Sequence, residues 1–271
     1  MRYTVAVLEC VVNISEGADK NRLAILAESV GVDLLDLHSD ADHNRSVFTL
    51  AGEEAPRLLA RTALDRLDIS AHEGVHPRVG IVDVVPFVAI EPSTFDDALA
   101  ARDKFARFAA DELGVPCFLY GPERTLPYIR KHAFVDLAPD FGPSTPHPKA
   151  GAMCVGARPI LIAYNLWLKD ATLEVAKQIS REIRSDSVRA LGLQVGKHAQ
   201  VSMNLIAPDV TGPDAVFDFV AERAQIDFAE LVGLVPARTL ARIDRARWEQ
   251  LDLASDKTIE ARLARRNQTP R

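Results

Sequence analysis

Residues 139–151, Pro-Asp-Phe-Gly-Pro-Ser-Thr-Pro-His-Pro-Lys-Ala-Gly, hold four prolines and two glycines in thirteen positions. Proline removes a backbone donor and disfavours helical angles in the residue before it. The stretch 139–156 is therefore expected to be an irregular loop. A loop of that length is unusual unless it links domains or binds something. It divides the chain into two stretches, each with its own alternation of strand and helix patterns.

Upstream, apolar alternation or continuous apolar runs predict strands near 3–13, 32–38, 46–51, 81–90 and 116–120. Helical periodicity fills 19–30, 54–69 and 95–113. Helix starts are expected at Asp19 and at Ser93-Thr94, the latter followed by Asp96 and Asp97 in the first turn. Downstream the order is strand 159–168, helix 171–184, strands 188–195 and 199–206 about a Gly196-Lys197-His198 turn, helix 213–226 and strand 228–235. That is β-α-β-β-α-β, the split βαβ order, and the first half reads the same way with an added helix and strand. The expected class is α+β: two ferredoxin-like subdomains over residues 1–157 and 158–250, with 251–271 as a C-terminal tail.

A chain of 271 residues, 48% hydrophobic and 26% charged, is long enough for a large core and ordinary in composition. No apolar run reaches the roughly 18 residues a membrane span needs, and no secretory leader pattern opens the chain, so no membrane partner and a cytoplasmic location are expected. A net charge of −6 argues against a nucleic-acid surface, and basic Arg262-Leu-Ala-Arg265-Arg266 reads as a solvated end. Cys10, Cys117 and Cys154 are widely spaced and odd in number, which suits buried reduced thiols rather than disulfides or a metal framework.

The densest chemistry lies in His72-Glu73-Gly74-Val75-His76-Pro77-Arg78, followed by Gly80 and Asp83. His-Glu-x-x-His on a helix would be a zinc-protease pattern. Gly74 and Pro77 oppose that helix, and the periodic pattern of Leu58, Leu59, Ala63 and Leu67 is expected to end near Ser70. The alternatives are a turn that presents one histidine as a general base, or a solvated turn whose histidines do nothing. No metal is expected. His43, His147 and His198 read as solvated loop histidines.

Several segments, in order over about residues 5–240, resemble the formiminotransferase domain of glutamate formimidoyltransferases. They are Glu9-Cys10-Val11-Val12-Asn13-Ile14-Ser15-Glu16-Gly17, Asp42-His43-Asn44-Arg45-Ser46-Val47 and Gly74-Val75-His76-Pro77-Arg78-Val79-Gly80-Ile81-Val82-Asp83 with its continuation to Phe87. Others are Leu119-Tyr120-Gly121, Ala138-Pro139-Asp140-Phe141-Gly142-Pro143-Ser144, Gly156-Ala157-Arg158, Gln200-Val201-Ser202-Met203-Asn204-Leu205 and Glu230-Leu231-Val232-Gly233-Leu234-Val235-Pro236.

The resemblance implies two ferredoxin-like subdomains, a homodimer, and transfer of a formimidoyl group from N-formimidoyl-L-glutamate to N5 of tetrahydrofolate. Tetrahydrofolate is then a substrate, and both partners are small molecules. The family's base histidine maps to His76, and its folate-contacting loop maps to Gly142, Pro143, Ser144, Thr145, Lys149 and Gly151. Asp83 or Asp40 is suited to orient the imidazole. Arg45, Arg78, Arg158 and Lys149 can hold the substrate carboxylates. Asn13, Asn44 and Asn204 are candidate hydrogen-bonding residues. Two other readings keep folate but change the rest: a formyl group or another donor, or a folate-binding protein without catalysis.

Overall fold

The computed structural model describes residues 7–72 and 78–268. The chain separates into two compact units, one ending at Pro159 and one beginning at Ile160.

Unit 1 runs β1 (Val7–Ile14), α1 (Lys20–Val30), β2 (Leu34–Asp40), β3 (Arg45–Ala51), α2 (Glu54–Arg66), β4 (Val82–Ile90), α3 (Phe95–Leu113), β5 (Cys117–Tyr120), α4 (Leu126–His132) and β6 (Met153–Ala157). The sheet order is β2-β3-β1-β4-β6-β5. Its first four strands, with α1 and α2, form a split βαβ unit, and β6 then pairs in parallel with both β4 and β5. Alternation decides which side chains enter the core: Leu8, Cys10, Val12 and Ile14 of β1 join Phe48, Leu50, Val85 and Phe87 beneath the apolar sides of the three long helices. On the other face α4 covers a smaller core of Val84, Phe118, Tyr120, Ile129 and Cys154. Both anticipated helix starts are found. Asp19 accepts from the N–H groups of Asn21 and Arg22, and Thr94 forms a reciprocal capping box with Asp97.

Two elements correct the sequence reading. The stretch expected to be irregular as far as residue 156 gives way to β6 at Met153, whose residues are all buried. Helix α4 was not anticipated, because its seven residues include Pro127 and are too few for a periodic pattern to emerge.

Unit 2 runs β7 (Ile162–Leu168), α5 (Leu173–Ile183), β8 (Val188–Val195), β9 (His198–Leu205), α6 (Pro213–Ala221), β10 (Ile226–Val232), α7 (Ala237–Leu240) and α8 (Ile259–Gln268). Its antiparallel sheet has the order β10-β7-β9-β8, again a split βαβ arrangement. Residues expected to trail as a tail are packed instead: Leu251 and Leu253 belong to this core, and Ile259 is buried. The tail reading missed them because a few apolar residues in a polar stretch carry no helical period. All three cysteines are free and buried.

Candidate active site

Strand β4 carries an irregularity in its pairing with β1: Asn13 is opposite Val84, but the next residue, Ile14, is opposite Val82. The extra residue is Asp83, a β-bulge of the kind that re-aims one side chain at a sheet end. Asp83 is 2% exposed. One carboxylate oxygen accepts from the Val79 N–H at 2.7 Å, and the other accepts from Nη2 of Arg130 at 2.6 Å. Burial pushes the Asp83 pKa up, opposed by Arg130, the Val79 N–H, Arg45 and Arg78.

Arg45, at the start of β3, donates from Nε to Oδ1 of Asn13 at 3.0 Å and from Nη2 to the same oxygen. Burial lowers its pKa to about 10, against the pull of Asp83 and Asp40 and with a push from Arg130. It stays charged at neutral pH. Arg78 is also lowered by burial, with Asp83 opposing. Three guanidiniums around one carboxylate leave this end of the sheet cationic, on a chain whose formal charge is −6. That suits anionic groups.

Asn44 lies at φ 46°, a left-handed turn position that asparagine tolerates. Its Oδ1 accepts from Gly17 N–H at 2.9 Å, and its Nδ2 lies 3.3 Å from Nδ1 of His72. Nε2 of His72 is buried with no hydrogen-bond partner among the described residues. Helix α2 ends at Arg66, a short turn covers Ile69–Ala71, and His72 is extended at φ −91°, ψ 126°. The helix that a two-histidine zinc pattern requires is thus already over at its first histidine.

The Pro-rich loop meets the same place. Gly80 and Gly151 bridge, Ile81 N–H donates to the Ala150 carbonyl, Ala152 N–H to the Val79 carbonyl, and Ile69 N–H to the Lys149 carbonyl. A Cβ on Gly80 would sit 2.1 Å from the Ala152 oxygen, and Gly151 has φ 72°, so both positions need glycine. Nδ1 of His147 accepts from the N–H groups of Lys149 and Ala150, so this histidine shapes the loop rather than lying idle in solvent. Gly142, Pro143, Ser144, Thr145 and Lys149 are exposed.

The structure therefore gathers Asn13, Asn44, Arg45, Arg78, Asp83 and Gly151 about one end of the unit 1 sheet. His76 lies outside the described residues. Asp40 accepts from His43 N–H at 2.9 Å and also stands opposite Arg45 across β2 and β3, where its charge acts on that guanidinium. Arg158 N–H donates to the Phe87 carbonyl, four residues along β4 from Asp83, and its Nη1 donates to the Pro159 carbonyl. Asn204 is an exposed residue of unit 2, opposite Ala163 and Arg189. Sequence reasoning missed Arg130, which reads as one of three basic residues in the last turn of α4, an ordinary helix-end pattern.

Residues 7–158 match the formiminotransferase domain, N-terminal subdomain. The chain belongs to the formiminotransferase family. A glutamate formimidoyltransferase of Streptococcus pyogenes serotype M1 is 37% identical over 270 residues, covering 86% of this chain and 90% of that protein. One from Thermoplasma acidophilum is 33% identical, covering 90% and 92%. The formimidoyltransferase-cyclodeaminase of Sus scrofa is 34% identical over 86% of the chain, which spans 51% of that longer protein. Arg45, Arg78, Asp83, Arg130 and the loop through Gly151 all fall within the matched formiminotransferase stretch.

Proposed function

We propose that the protein transfers a formimidoyl group from N-formimidoyl-L-glutamate to N5 of tetrahydrofolate, with His76 as general base. The observation that carries this reading is the cationic group around Asp83. It lies at a strand end, pinned to Val79 and bordered by the loop through Gly151, in a chain 37% identical to a glutamate formimidoyltransferase.

N5 attacks the amidine carbon and a C–N bond forms. The tetrahedral adduct loses a proton from N5 to the imidazole and receives one on the glutamate nitrogen, whose bond to carbon then breaks. An imidazole with an ordinary pKa near 6.5 serves both transfers at neutral pH. Both substrates carry carboxylates, for which Arg45 and Arg78 are the supported partners. Asp83 holds the backbone two residues beyond Pro77, so its role in this reading is positioning. The strand orders support ferredoxin-like units, the three unpaired thiols support a reducing cytoplasm, and kinship with the family supports a homodimer, which light scattering tests.

Mixing protein, tetrahydrofolate and formimidoylglutamate should produce 5-formimidoyl-tetrahydrofolate, followed by absorbance. His76→Ala should lose about 10²–10⁴ in kcat while still binding tetrahydrofolate. Wild-type turnover in that variant sinks the base assignment, and a silent wild type that binds folate favours a non-catalytic protein.

A further inference from the structure

Tyr120 ends β5 on the α4 side of the unit 1 sheet, packed with Val84, Phe118, Ile129 and Cys154. Its register partner is Gly156 of β6, which lies opposite Pro86 of β4. A Cβ on Gly156 would overlap Cζ, Cε1 and Cε2 of the Tyr120 ring. The phenol end therefore lies across β6, where only glycine leaves room for it.

Tyr120 is 8% exposed, a depth at which a tyrosine hydroxyl normally finds a partner, yet this one makes no hydrogen bond among the described residues. It still keeps accessible surface, so a ligand atom can reach it. Burial pushes its pKa up, and Arg158 is the first charge to oppose. The group thus stays an uncharged donor at neutral pH with a guanidinium close by. Arg158 follows Gly156 by two positions, which places it on the same face about 7 Å along the strand. Its backbone N–H donates to the Phe87 carbonyl and its Nη1 to the Pro159 carbonyl at 3.1 Å. Nε and Nη2 have no partner among the described residues.

We propose that Tyr120 and Arg158 form a second carboxylate site, separate from the group around Asp83, an inference that rests on the folate reading above. The phenol donates one hydrogen bond and the guanidinium one or two to the same carboxylate, and bonds of that charge-assisted kind are the strong ones. A cationic ligand is refused by like charge. A neutral carbonyl would leave the guanidinium charge unanswered. The need for such a site follows from the substrates. Formimidoylglutamate and tetrahydrofolate each contain a glutamate, so together they bring four carboxylates. Arg45 and Arg78, each engaging one carboxylate through its fork of donors, leave two over.

The test titrates the full chain by calorimetry with tetrahydrofolate, with formimidoylglutamate, and with 6-methyltetrahydropterin, which keeps the pterin and lacks every carboxylate. Tyr120→Phe keeps the ring over Gly156 and removes only the hydroxyl. It should leave the melting temperature unchanged and weaken a carboxylate-bearing substrate about tenfold. Arg158→Met should weaken the same substrate by about 10–100-fold. Binding of 6-methyltetrahydropterin should be untouched in both variants, which a merely structural role would not spare. Loss confined to tetrahydrofolate assigns the site to the folate glutamate, and loss confined to formimidoylglutamate assigns it to the donor. Equal loss for tetrahydrofolate and 6-methyltetrahydropterin overturns the proposal. Wild-type affinities in both variants also overturn it and leave the folate reading standing. Failure of the wild type to bind either substrate overturns both.

Discussion

Asp83 is a carboxylate withdrawn from water, and Arg130, which donates to it, comes from a helix 47 residues away in sequence. Its pKa is raised, mainly by burial. The native state therefore keeps this proton to higher pH than the unfolded chain does. Its contribution to stability is complete below the ordinary carboxylate value near 3.9 and declines as pH rises through the raised native value. Arg130 limits that decline. Replacing it, as in Arg130→Met, leaves a buried charge facing Val79 N–H and more distant guanidiniums, at a cost of about 3 kcal/mol at pH 7.5. The pKa of Asp83 then climbs further, so the cost should shrink toward pH 4.5 as the carboxyl is neutralised. Adding Asp83→Asn should restore most of the loss, because the stranded charge is gone. Urea unfolding of the four proteins at both pH values measures this, and equal costs at the two would refute it. Asp83 could be picked from sequence because it closes a run of titratable residues. Arg130 could not, since only topology brings α4 over the strand end.

Sequence periodicity located the long elements because each buries one face. Helix α3, with Phe105, Phe108 and Ala109 inward, and strand β1, with alternate residues inward, follow their expected spans closely. Elements whose burial is not periodic escaped. Strand β6 is buried on both faces, so its five residues show no alternation, and they follow directly on the Pro-rich loop. The loop itself was legible as irregular, but not where it docks, which is decided by two glycines far apart in sequence. Between them, backbone meets backbone: a methyl on Gly80 would lie 2.1 Å from the Ala152 oxygen and 2.4 Å from that of Ala150. Gly80→Ala should therefore force the loop away from Val79–Ile81, costing about 2 kcal/mol as overpacking does. Hydrogen exchange should speed up at the Ile81 and Ala152 amides, which donate to Ala150 and Val79 across this crossing. Unchanged protection at both amides would show that the loop is held by other contacts. Under the folate reading, the KM for tetrahydrofolate should rise as well.

At the scale of the molecule, each unit completes its own core, and the second does so with residues that look dispensable in sequence. Leu251, Leu253 and Ile259 are at most 5% exposed. The hydroxyl of Tyr164, the largest fully buried side chain among the described residues, donates to the Leu251 carbonyl, and Leu231 N–H donates to Asp252. Val235 N–H donates to the Lys257 carbonyl, and Ile259 N–H returns to that of Val235. Burying an aliphatic side chain stabilises by about 1.5–3 kcal/mol, so three of them together supply about 6 kcal/mol, comparable with the whole stability of a small domain at about 5–15 kcal/mol. Removing residues 251–271 should therefore unfold unit 2 rather than trim it. Produced alone, residues 160–271 should give a cooperative urea transition by circular dichroism, whereas residues 160–250 should show none and should exchange their β7 and β10 amides freely. A cooperative transition of similar midpoint in the shorter piece would mean that the sheet with α5, α6 and α7 suffices, and that the closing segment merely lies upon them.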